Sequence, residues 1–128
     1  MYPVKTVNRE HIETMVISFY TKILKDELVA PFFIAKLGDD LKSSHWKPHL
    51  ESLVNFWSTM ILNDESYYGN PMRVHFYIGE LNRGIFKQWL KIFFETVDEV
   101  FIPKIGAEFK ERSEIIAGNF MRSLEIAR

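Results

Sequence analysis

Apolar residues return at steps of three and four along most of this chain, the period of an amphipathic helix. From Asn8, a natural N-cap, the positions Ile12, Met15, Val16, Phe19, Tyr20, Ile23 and Leu24 form one such stripe, which should lapse around Lys25-Asp26-Glu27. Ser43 and Ser44 can cap a second helix with Trp46, Leu50, Leu53, Val54, Trp57, Met60 and Ile61 inward. Pro48 falls in its first turn, where the missing N–H costs least. The strongest pattern follows Asn82: Ile85, Phe86, Trp89, Leu90, Phe93, Val97, Val100 and Phe101 face inward, while Lys87, Lys91, Glu95, Asp98 and Glu99 stay outside. Pro103 ends that helix or opens the next, and a last helix carries Ile105, Phe109, Ile116, Phe120, Met121 and Leu124. No stretch alternates in the manner of a strand. The pattern predicts an all-α fold of four substantial helices with shorter pieces between them.

Two connecting stretches break the pattern. Val29-Ala30-Pro31-Phe32-Phe33-Ile34-Ala35 is apolar, yet its proline disfavours helix at Ala30, so it reads as a connection. Its adjacent rings either plug one end of the core or set one ring against a bound planar group. The second stretch, Asn70-Pro71-Met72-Arg73-Val74-His75-Phe76, reads as a short helix with Asn and Pro at its start and Gly79 beyond its end. It presents His75 between apolar Met72 and Phe76.

The length of 128 residues predicts one domain over 1–128, large enough to bury a core and one embedded cofactor. Fifteen per cent aromatic residues suit either an aromatic core or the surroundings of a large flat group. A net charge of −1 without a run of one sign offers no footprint for nucleic acid or an anionic membrane. The absence of cysteine excludes disulfides, thiolate ligands and covalent haem attachment through Cys-x-x-Cys-His. With no apolar run near the ~18 residues of a membrane span and no leader pattern, the expectation is a soluble cytoplasmic protein.

Of the four histidines, His11 and His45 lie among polar neighbours and read as solvated. His49 points inward, with Leu53, Phe56 and Met60 following at helical spacing. His49 and His75 come from different elements, each in an apolar setting, and two opposed imidazoles fit a haem site. A di-iron bundle would need a glutamate three residues before its histidines, and the residues there are Asn8, Lys42, Trp46 and Met72. The zinc-hydrolase, phosphate-loop and serine-hydrolase motifs are missing as well. Tyr20 and Trp89 each bring a polar hydrogen to an inward face, where it requires a partner.

In order and spacing, Phe19-Tyr20, Pro31-Phe32-Phe33, Trp46-Lys47-Pro48-His49, Asn55-Phe56-Trp57, Pro71 with His75, and Trp89-Leu90-Lys91 resemble the group III truncated haemoglobins of bacteria over essentially the whole chain. The resemblance implies a truncated globin-like two-over-two helical sandwich around haem b, iron protoporphyrin IX held non-covalently. It makes His75 the iron ligand, with Met72 and Phe76 beside it, and packs Phe33 on the porphyrin. Tyr20, His49, Trp89 and Phe32 would line the distal pocket, and Arg73 would meet a propionate. Expected ligands are O2, CO and NO. The implied role is handling of O2, NO or peroxide rather than bulk transport, with NO dioxygenase or peroxidase-like turnover left open and a reductase required for either. Two other readings stand beside this one: a haem-free helical interaction module, and a six-coordinate haem protein with both His49 and His75 on iron.

Overall fold

The computed structural model describes residues 3–64 and 83–123, and within them the chain is helical throughout its regular structure. The helices are α1 (Arg9–Ile23), α2 (Ala30–Leu37), α3 (Trp46–Leu62), α4 (Arg83–Val100) and α5 (Pro103–Ser123). Asn8 caps α1 as its sequence indicated, its side-chain oxygen accepting from the His11 amide at 2.9 Å. Leu124, expected on the last helix, lies outside the described residues, as does Asn82.

α2 corrects the expectation of a non-helical connection. Pro31 sits in its first turn, where no intrahelical N–H bond is lost. The start of α2 is held by Asp26, whose carboxylate accepts from the Leu28 amide at 3.1 Å and the Val29 amide at 2.9 Å. The other carboxylate oxygen accepts from Gln88 Nε2 at 2.7 Å, tying this corner to α4. At its far end, Gly38 takes φ +82°, a left-handed value that glycine accepts without a Cβ penalty, and its amide returns to the Ile34 carbonyl at 2.9 Å.

α1 packs on α3 and on α4, and α4 packs on α5, giving two helix pairs joined through α1. The α1 stripe is buried as its spacing predicted: Ile12, Met15, Val16, Phe19, Tyr20 and Ile23. Trp46, Val54, Phe56 and Trp57 are buried on α3, while Leu50, Leu53, Met60 and Ile61 are only partly covered. On α4 the polar Thr96 is fully buried, a position that periodicity in apolar residues alone does not reveal. Its hydroxyl donates to the Ile92 carbonyl at 2.8 Å and accepts from Lys22 Nζ at 3.1 Å.

An isolated parallel bridge pairs Val4 with Phe101, so the segment before α1 is pinned at the α4–α5 corner. Val4 donates to the Val100 carbonyl at 2.8 Å and accepts from the Ile102 amide at 3.1 Å. No helix among the described residues is long and apolar enough to cross a membrane.

Candidate functional site

Helical spacing brings Tyr20 to the core face in the last turn of α1, one turn after Val16. There its ring meets rings from two other helices. Phe33 of α2 lies 5.4 Å away edge-on, Trp46 of α3 5.3 Å away tilted, and His49 of α3 5.5 Å away edge-on, measured between ring centroids. Trp89 of α4 joins them through Phe19, edge-on at 5.4 Å, and stacks on Phe93 at 5.7 Å. Four helices therefore contribute to one aromatic cluster whose polar groups come from Tyr20, Trp46, His49 and Trp89, the Trp46 indole N–H being committed to the Gly38 carbonyl.

Burial pushes the Tyr20 phenol well above its ordinary pKa, because the phenolate would lose its hydration; the neighbouring Trp89 indole acts in the opposite direction. Tyr20 is thus a neutral phenol, with its proton to give, throughout the physiological range. The Trp89 nitrogen lies close enough to influence the phenol, but Nε1 is buried and has no aligned acceptor among the described residues. A buried donor left unmade costs about 1–3 kcal/mol. An acceptor brought between Tyr20 and Trp89 would relieve that cost. His49 is half-buried, and its Nε2 is withdrawn from solvent.

The structure thus joins Tyr20, Phe33, His49 and Trp89 from sequence-distant helices. Phe32 is half-buried against the core, and among the described residues it is Phe33 that meets Tyr20 and His49. Met72, Arg73, His75 and Phe76 lie outside the described residues, together with the Asn70-Pro71 start of their segment. His45 is exposed, as expected. His11 is half-buried instead of fully solvated, with Nδ1 3.0 Å from the Thr6 carbonyl. Trp46 looked like routine core. Its participation in the cluster was signalled only by its place three residues before His49, one turn away on the same helix face.

No family model matches the chain. The chain is 30% identical over 120 residues to the group 3 truncated hemoglobin ctb of Campylobacter jejuni, covering 94% of this chain and 93% of that protein. It also superimposes with a TM-score of 0.85 on the crystal structure of a group III truncated hemoglobin from Campylobacter jejuni, over 94% of each chain at 30% identity. The chain belongs to the group III truncated haemoglobins.

Its all-α architecture is accordingly that of the truncated globin fold, and the family implies a haem cofactor and oxygen binding. The residues present in this truncated haemoglobin fit such a group. Rings of Phe33, Tyr20 and Trp46 provide apolar surface around the half-buried His49, and the buried Trp89 donor stands ready for a polar ligand atom.

Proposed function

We propose that this chain, as a single globin domain over residues 1–128, binds haem b non-covalently and handles small diatomic molecules at a five-coordinate iron. His75 would be the iron ligand, with Met72 and Phe76 flanking it and Arg73 meeting a propionate. Phe33 would pack on the porphyrin. Tyr20, His49, Trp89 and Phe32 would surround the distal face. Bound haem would supply an iron atom with one coordination position open to O2, CO or NO.

What the chain itself contributes is a pair of donors held in an apolar setting. The buried indole N–H of Trp89 beside the neutral Tyr20 hydroxyl is the observation that carries the reading. These donors favour a ligand whose outer atom is partly negative, O2 above CO, because hydrogen bonds to charge are stronger than neutral ones. His75, neutral at one ring nitrogen for the metal, would donate from the other to a carbonyl or carboxylate that sets its basicity. A pocket so arranged holds O2 firmly. That suits handling of O2, NO or peroxide better than bulk carriage. NO dioxygenase or peroxidase-like turnover would draw electrons from a separate reductase, since the chain carries no flavin or nicotinamide fingerprint. The proposed setting is the cytoplasm.

Absorption spectroscopy tests the reading. The reduced protein should show an intense Soret band that shifts when CO is added, and His75→Ala should weaken or alter that band. A protein that remains colourless after incubation with haem would overturn the proposal. A reduced protein that is six-coordinate before any ligand is added would replace the open iron site by ligation through His49 and His75 together.

A further inference from the structure

Trp46 is the first residue of α3 and is wholly buried. Its indole N–H donates to the Gly38 carbonyl at 2.8 Å, and its amide donates to Ser43 Oγ at 3.3 Å. The ring is therefore tied to the end of α2 and its backbone to the turn before α3, and the Gly38 end is itself set by a left-handed backbone at φ +82°. From this fixed position the indole lies nearly parallel to Phe33, with centroids 6.1 Å apart and 23° between planes. It stands edge-on to His49 at 5.4 Å and tilted against Tyr20 at 5.3 Å.

His49 has Trp46 one turn before it and Tyr20 across from it, and the three rings form a triad in which each touches the other two, so the imidazole rests against both. We propose that Trp46 is a positioning residue: anchored by its hydrogen bond to Gly38, it holds His49 against Tyr20. This inference rests on the distal role proposed for His49. Trp46 touches no ligand in this scheme; it acts through His49. Without the anchor, the indole position is no longer determined by the end of α2, and His49 can turn away from Tyr20.

The test is a set of four proteins: the parent, Trp46→Phe, His49→Leu and the double variant. A crystal structure of Trp46→Phe should show the His49–Tyr20 ring separation opened beyond the parent's 5.5 Å. O2 dissociation should change by about threefold or more when Trp46→Phe is made in the parent, as expected for one displaced hydrogen-bonding group, and by less than about 1.5-fold in the His49→Leu background. An unchanged ring separation, or the same factor in both backgrounds, would overturn the proposal and leave Trp46 as core. Should the parent take up no haem, its absent Soret band removes the proposed function, while the ring separation still decides whether Trp46 places His49. If Trp46→Phe does not fold, benzothienylalanine at position 46 keeps the shape of the indole and removes only the N–H, with the same outcomes expected.

Discussion

At the scale of single residues, the site depends on where two hydrogens are held. Loss of one net hydrogen bond is worth about 0.5–1.5 kcal/mol, so Tyr20→Phe and Trp89→Phe should each speed O2 release roughly two- to tenfold while leaving CO release nearly unaltered. Stopped-flow displacement of O2 by CO measures this directly; unchanged rates in both variants would sink the two-donor account. The phenol also makes a statement about stability. An unfolded chain releases the Tyr20 proton near its ordinary pKa of 10.0, whereas the folded chain retains it because burial raises that pKa. The contribution of Tyr20 is therefore complete below pH 10.0 and is lost as the pH climbs toward the higher folded value. Between about pH 9 and about pH 11 the thermal midpoint of the parent should fall more steeply than that of Tyr20→Phe. Equal slopes would mean that the phenol is hydrated. The inward direction of Tyr20, His49 and Trp89 was legible from spacing alone. That Phe33 and Trp46 would close around Tyr20 was not, because contacts among three helices depend on crossing geometry that a one-dimensional pattern does not contain.

At the scale of helices, apolar periodicity located α1, α3, α4 and α5 and went astray at α2. Pro31 is a breaker only when the residues before it must be helical; here they form a turn whose amides bond the Asp26 carboxylate, so the proline falls in the first turn of a helix instead of interrupting one. Asp26→Ala should consequently cost about 1–3 kcal/mol, through its lost bonds to the Leu28 and Val29 amides and the stranding of Gln88. Urea unfolding reads this loss; a change within error would remove Asp26 as the organiser of this corner. The α4–α5 contact gives a sharper case. A Cβ on Gly106 would come within 2.9 Å of Val97 Cγ1, and Val97 is completely buried. Alanine gains about 1 kcal/mol of helix propensity over glycine, but overpacking a contact that cannot yield costs about 1–3 kcal/mol. The net effect of Gly106→Ala should be destabilising, by about 1 kcal/mol. Adding Val97→Ala should then cost less than it does alone, because each substitution makes room for the other. Additive losses in urea unfolding would show that the helices separate to admit the methyl.

At the scale of the whole molecule, the aromatic residues run as a column from the site to the far corner. Trp89 stacks on Phe93 at 5.7 Å, Phe93 on Trp57 at 5.2 Å, Trp57 meets Phe109 at 5.4 Å, and Phe109 stacks on Phe101 at 4.7 Å. Phe101 belongs to the bridge that pins Val4. One end of this column is closed by protein, with Phe101 and Phe109 fully buried. At the other end Trp89 is only partly covered and keeps a buried donor with no acceptor among the described residues. Such an asymmetry makes the molecule most stable when something apolar with a polar ligand atom occupies the second end. A group that binds the folded chain and not the unfolded one stabilises by mass action, by about 4 kcal/mol at a thousandfold excess over its dissociation constant. Haem should therefore raise the thermal midpoint followed by far-ultraviolet circular dichroism, and the increase should grow with haem concentration. Gly106→Ala, at the closed end, should lower the midpoint with and without haem by similar amounts, whereas His75→Ala should reduce the increment that haem adds. A midpoint indifferent to haem would refute the globin chemistry proposed for this chain while leaving its helical architecture intact.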